Sequence, residues 1–294
     1  MALLSPHARR VLKLLVGSVT AVALMGATYQ GIATSLERRA FPRPGRLVDV
    51  GTHQLHLVCA GKGAPTIVLE AAAGALSAEW ADVQASSARI SRVCSYDRAG
   101  LGWSEAGEGP FEPADVAHQL GLLLERANEP PPYVVVGHGL GASFAMLFAA
   151  RNPRGVVAMV LVGSPAGRRV PLEQALADLG GSASWLARFG VLRLVPVLTR
   201  HVRQVEPASP ARAVRVFLNR PDHLTRAGRE LSRAADVDGL AAHAAVDGID
   251  ALRVELAPDH DHSVLTGEDA RTVTAAIERA VLAARQLSSV TGER

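Results

Sequence analysis

The sequence predicts an α/β protein with a mostly parallel sheet, preceded by a membrane-spanning helix. Three observations carry that prediction. From residue 47 onward, short apolar runs of strand length alternate with helix-length stretches, the pattern of strands joined by crossover helices. Residues 14–36 contain no charged side chain and are bracketed by Lys13 and Glu37. The 294 residues are 48% hydrophobic and 20% charged, which supports a sizeable core and excludes a disordered tail, a disulfide-stapled mini-protein and a fibrous repeat.

Residues 1–13 form a short basic N-terminus. At about 1.5 Å per helical residue, residues 14–36 can cross a hydrocarbon core of about 30 Å and read as a transmembrane anchor. A cleaved secretory signal competes, because a basic start precedes the apolar run and Gly31-Ile32-Ala33 offers a small-residue cleavage site. A buried soluble helix is the third reading. Basic side chains flank the run on both sides, so the positive-inside rule leaves its orientation open. Residues 37–46 are a Pro/Arg linker to a domain spanning 47–294.

Within that domain the strand-like runs are 47–50, 54–59, 66–70, 92–97, 133–137, 156–162 and 252–257, with helical patterns at 113–128, 140–151 and 268–286. The first two runs are too close for a crossover helix and predict an antiparallel hairpin at the sheet edge. Residues 166–235, rich in Arg, Ala and Leu with several prolines, read as an inserted helical cap. The formal charge of +3 is uneven: residues 1–46 hold seven basic side chains against Glu37 alone, leaving 24 basic and 27 acidic in the rest. The domain is mildly acidic. Lysine occurs only at 13 and 62, so the arginines reflect composition bias and are expected on a solvated face (Arg168, Arg169, Arg212, Arg215, Arg220, Arg226, Arg229, Arg233). No nucleic-acid partner is expected.

Residues 133–149, YVVVGHGLGASFAMLFA, give an apolar strand, a sharp glycine turn and a helix opening with small residues. This is the context of a nucleophile elbow, in which the turn forces one residue to φ > 0 above a helix N-terminus. With HLVCAGKGAPTIVLEAAAGALSAEW, RVCSYDRAGLGWSE and LRVELAPDHDHSVLT in this order, the chain resembles the α/β-hydrolase superfamily, in its serine esterase and lipase branch, over most of residues 47–290. The resemblance implies the α/β-hydrolase fold and names no substrate.

The chain departs from that family where the nucleophile should stand. The motif G-x-S-x-G reads Gly137-His138-Gly139-Leu140-Gly141, so the nucleophile position falls on Gly139, which can attack nothing. Asp, used by relatives that open epoxides or remove halide, is absent as well. Glycine holds φ > 0 without steric cost, so it relieves strain at the turn. Ser143, one helical turn on, is read as a packing residue. The resemblance implies a base in the loop after the last strand, where Asp261-His262-Ser263-Val264-Leu265 fits best and His262 takes the role ahead of His260. The acid is unassigned: Val162-Gly163-Ser164-Pro165 lacks it, a seventh strand is hard to find before Asp250, and Asp238, Asp247 and Asp250 remain as candidates. The implied oxyanion hole combines the Leu140 N–H with that of Ala72 or Ala73. The segment from Asp97 to Ser104 is read as a structural loop. No cofactor is expected, and no metal, because the His260/His262 pair lacks further ligands at suitable spacing.

In the sheet order the resemblance implies, the strands of Cys59 and Cys94 are antiparallel neighbours, and a cross-strand bridge with Cα atoms about 5.5 Å apart is feasible. Such a bridge would place the domain in an oxidising compartment as a single-pass, extracytoplasmic domain. Two buried thiols in a cytosolic domain are the alternative. The expectation is a membrane-anchored α/β-hydrolase-fold protein that lacks its nucleophile, is non-catalytic or strongly impaired, and keeps a small-molecule pocket with a binding or scaffold role. Its expected partners are membrane lipid, a small acyl or ester ligand and a membrane protein. Competing readings are an active hydrolase whose water is activated by His262, and a Ser-to-Gly variant of an active serine hydrolase.

Overall fold

A computed structural model describes residues 5–163, 171–199, 210–246, 248–256 and 265–292. Helix α1 (Pro6–Ala40) starts at Ser5, whose side chain accepts the Ala8 N–H, with Pro6 in the first turn where its missing N–H costs nothing. It is long and apolar enough to cross a membrane, and the most apolar stretch is uncovered by the rest of the chain.

Seven strands follow: β1 (Arg46–Asp49), β2 (Gln54–Ala60), β3 (Thr66–Glu70), β4 (Val93–Tyr96), β5 (Tyr133–His138), β6 (Val156–Val162) and β7 (Asp250–Val254). They form one sheet in the order β1-β2-β4-β3-β5-β6-β7. β1 and β2 make the expected edge hairpin, β2 pairs β4 antiparallel, and all other pairings are parallel. β3 and β5 are buried along their whole length because helices cover both faces of the sheet. Alternation along β5 shows the two layers. Val135 packs with α3 (Pro113–Arg126) and α4 (Leu140–Arg151), while Val134 and Val136 pack with α2 (Ala81–Ser87) and α11 (Gly267–Gly292).

Between β6 and β7 the described helices are α5 (Pro171–Leu179), α6 (Ser182–Arg188), α7 (Val191–Leu194), α8 (Pro210–Phe217), α9 (Pro221–Ser232) and α10 (Ala234–Ala242). They carry a third apolar cluster in which Leu176, Phe217, Leu224 and Leu231 meet Leu140 and Phe144 of α4. Two of the arginines expected on a solvated face lie elsewhere. Arg226 bonds the buried Glu230, and Arg220 stacks 4.0 Å over the Phe217 ring, where burial lowers its pKa to about 10.

β7 starts two residues before its apolar run and pairs directly with β6, Asp250 facing Ala158. Among the described residues no strand intervenes, which is why none was legible there. Cys59 and Cys94 are register partners and are joined by a disulfide with Cα atoms 4.1 Å apart, closer than expected. The Asp97 N–H donates to His56 O. Counting along the ladder from that bonded pair makes Cys59–Cys94 a non-hydrogen-bonded pair, the class whose Cα atoms approach most closely.

Candidate functional site

The C-terminal ends of β3 and β5, the turn after each, and the overlying helices bring together the residues that matter. β5 runs into the turn at Gly139, which has φ 52 and ψ −124, and α4 begins at the next residue. The three motif glycines have different reasons to be glycine. A Cβ on Gly137 would lie 2.4 Å from Gly141 O, and one on Gly141 would lie 2.4 Å from both Ala71 O and Glu70 O, so strand, turn and helix can meet only without side chains there. A Cβ on Gly139 would meet only Ala72 Cβ at 3.6 Å and Glu173 Oε1 at 3.8 Å, which is ordinary contact. Position 139 has room for a side chain, and only its positive φ favours glycine.

Two backbone donors flank that space. Among the described residues the N–H groups of Leu140 and Ala73 have no partner. The Ala72 N–H, the other donor expected from this loop, is taken: it donates to Glu79 Oε2 at 3.0 Å. Glu79 lies in a short 3-10 helix, Ser77–Trp80, and its other oxygen bonds His138 Nδ1 at the end of β5. Both side chains are buried. Burial pushes the His138 pKa down, but the Glu79 carboxylate outweighs it, with Glu173 and Asp269 adding to the rise, so the net shift is upward. His138 therefore stands one residue before the turn, held by a carboxylate that also fixes the loop after β3. Glu79 O accepts the Leu265 N–H, which ties the start of the α11 region to the same point.

A second buried network locks this loop to the cap. Arg98 donates to Glu70 Oε1 at 2.6 Å and to the carbonyls of Ala71 and Ala72 at 2.7 Å each. It also grips both oxygens of Glu230 on α9, at 3.0 and 2.8 Å. Glu230 in turn accepts the Gly74 N–H at 3.0 Å. Burial raises the Glu230 carboxyl pKa, yet Arg98 and then Arg226 outweigh it and hold it down to about 2. Asp97 accepts the Ser77 and Trp103 N–H groups and bonds buried His56, which is the structural part expected of this loop.

The remaining sequence-derived residues are placed as follows. Ser143 is fully buried and its hydroxyl donates to Asp238 at 2.6 Å, so Asp238 points at α4 from α10. Asp250 begins β7, four residues before the Val254 level that neighbours the elbow, or about 13 Å down the strand. Neither Asp238 nor Asp250 lies within 4 Å of where a Gly139 Cβ would stand. Asp247, His260, Asp261, His262 and Ser164 lie outside the described residues. Glu79, His138 and Glu173 were missed. The signal available was slight, a His before the turn and a Glu in the loop following the third strand.

A mostly parallel sheet with a strand–turn–helix elbow at its C-terminal edge and a helical insertion above it defines an α/β-hydrolase architecture. The chain belongs to the alpha/beta hydrolase fold family, whose model matches residues 65–229. It is 34% identical over 131 residues to an uncharacterized vacuolar membrane protein of Saccharomyces cerevisiae, covering 38% of this chain and 20% of that protein. It is also 36% identical over 104 residues to an AB hydrolase superfamily protein of Gibberella zeae, covering 34% and 32%. The chain thus spans about a fifth to a third of the length of these relatives. In fold it resembles an enol-lactonase from Burkholderia xenovorans (TM-score 0.61, 20% identity, 81% of this chain and 100% of that one). It likewise resembles the Cif epoxide hydrolase of Acinetobacter nosocomialis (TM-score 0.63, 14% identity, 87% and 96%).

Proposed function

We propose that the chain is a membrane-tethered α/β-hydrolase-fold protein that binds an acyl or ester group at its elbow without forming a covalent intermediate. The observation that carries this reading is Gly139: the turn keeps the positive φ of a nucleophile elbow and space for a side chain, but supplies no atom that can attack. The unpartnered N–H groups of Leu140 and Ala73 suit a carbonyl oxygen. Gly139, Leu140 and Ala73 form the binding centre; His262 is assigned the base position, and the acid stays open. The tether is α1, and its reading as a membrane anchor gains support from the yeast relative's description as a vacuolar membrane protein. The Cys59–Cys94 bridge favours an oxidising compartment and hence an extracytoplasmic domain. A binding module on a membrane tether also suits a scaffold role with a membrane protein partner.

The test is a fluorophosphonate probe and an ester panel applied to the purified full chain and to Gly139→Ser. The unmodified chain is expected to give no covalent adduct and, at most, slow turnover. Gly139→Ser is expected to label at position 139 if the rest of the machinery is intact. Labelling of Ser143 in the unmodified chain, or serine-hydrolase turnover comparable with that of Gly139→Ser, would refute the reading.

A further inference from the structure

Helix α1 is not a free tether. Its positions 26, 29, 30, 34 and 37, spaced three or four apart and so on one face, all meet the cap. Gly26 allows backbone contact with Phe189, since a Cβ there would lie 2.3 Å from Phe189 O, and a Cβ on Gly190 would lie 3.1 Å from the Tyr29 ring. Gln30, the one buried residue of α1, donates to Asn219 O at 2.7 Å. Arg193 bonds Gln30 at 2.6 Å and reaches Thr34 at 3.4 Å and Glu37 at 2.5 and 2.8 Å. The cap is therefore clamped along about the last half of the uncharged run.

Length then places the cap. The part of the run ahead of Gly26 covers about 18 Å, and a hydrocarbon core needs about 30 Å. Extending the span to Arg9 supplies the missing length, since residues 9–28 cover about 30 Å, and Arg9, Arg10 and Lys13 then lie within about a turn of its end, where long basic side chains snorkel to the interface. Gly26, and Phe189 against it, then lie near the opposite headgroup level, and the α6–α7 edge of the cap meets the bilayer beside α1. That edge is built for it. Trp185 (63% exposed), Phe189 (40%), Leu194 (74%) and Val195 (50%) lie exposed beside the contact residues, and the Trp185 and Phe189 rings stack with centroids 6.3 Å apart. Arg188 lies 5.9 Å over the Trp185 ring, the Trp/Arg pairing suited to headgroup level. Arg193, which meets α1 farther along at Gln30, Thr34 and Glu37, has its charge matched by Glu37.

We propose that the α6–α7 edge of the cap is a lipid-bilayer docking surface, with Trp185, Phe189, Leu194 and Val195 seated among the headgroups and upper acyl chains beside α1. This rests on the reading of α1 as a membrane span. The cap and the elbow beneath it would then be held at the membrane surface in a fixed orientation.

The experiment uses the full chain reconstituted in phosphatidylcholine vesicles with and without brominated acyl chains. The sequence has three tryptophans, of which Trp80 is fully buried and Trp103 packs against Phe217 and His56, so lipid quenching reports Trp185. Bromines near the headgroup are expected to quench emission more than bromines deep in the chain, and Trp185→Phe is expected to lose that quenching while still floating with the vesicles. Flotation without quenching, or quenching unchanged in Trp185→Phe, would overturn the docking surface and leave the span intact. Failure of the full chain to float would overturn both.

Discussion

Glu230→Gln tests whether the buried network holds the cap to the loop after β3. The substitution keeps the shape of the side chain and removes its charge, leaving Arg98 to share only Glu70. In the folded chain the Glu230 carboxyl is held near 2, against an ordinary 4.5. That difference corresponds to about 3 kcal/mol of stability at neutral pH, in line with the 3–5 kcal/mol of breaking a buried pair. Because the folded pKa is depressed, the stabilisation is fully present above about pH 4.5 and is lost as pH falls toward about 2. The variant should therefore be less stable than the native chain by about 3 kcal/mol at pH 7 but only by about 1 kcal/mol at pH 3. Glu70 runs the other way, since burial raises its pKa against Arg98 and Tyr96 and Glu230 adds to the rise; the variant removes that repulsion as well, so the difference reports Glu230 together with its coupling to Glu70. Urea melts of the full chain in detergent, followed by tryptophan fluorescence, give both values. A difference that is equal at the two pH values, or below about 0.5 kcal/mol at pH 7, would refute the argument that charge holds this junction.

The elbow glycines should separate in a thermal melt: Gly141→Ala drives a Cβ into two carbonyl oxygens at 2.4 Å, whereas Gly139→Ala meets open contact and only backbone strain of about 1–3 kcal/mol. The melting temperature should fall further for Gly141→Ala, and the reverse order would contradict the packing described. Replacing both Cys59 and Cys94 by Ser opens a 35-residue separation, which by loop-closure entropy costs about 4 kcal/mol. Denaturant melts of this double variant, set against the oxidised native chain, should show that loss, and a loss under about 1 kcal/mol would mean the bridge does not stabilise the fold.

The fold was legible because its signals are local. Each of the seven strands announced itself as a short apolar run, the closeness of the first two predicted their hairpin, and residues 133–149 displayed strand, turn and helix in one segment. Family resemblance also supplied the sheet order that pairs Cys59 with Cys94. The site was less legible because its charges meet through tertiary crossings that no spacing encodes. His138 and Glu79 are 59 residues apart, and Arg98 and Glu230 are 132 apart. A lone Arg in a loop and a Glu in a cap helix look solvent-facing in sequence, and only desolvation beside an opposite charge turns them into buried pairs.

What the structure adds to Gly139 is the comparison with its neighbours. Sequence shows three glycines in five residues and cannot say which are forced. Gly137 and Gly141 are forced by backbone contact, and Gly139 is not, so its missing side chain is a chemical fact about the elbow and no consequence of crowding. The surrounding parts point the same way: His138 and Glu79 hold the turn and its facing loop, Arg98 and Glu230 hold that loop to the cap, and two backbone N–H groups remain open between them. Such an arrangement ties the turn to its facing loop and that loop to the cap without needing a nucleophile. The order of the turn and its loop therefore depends on Glu79 and Glu230, while the proposed loss of covalent chemistry depends on residue 139, and the two can be separated by substitution.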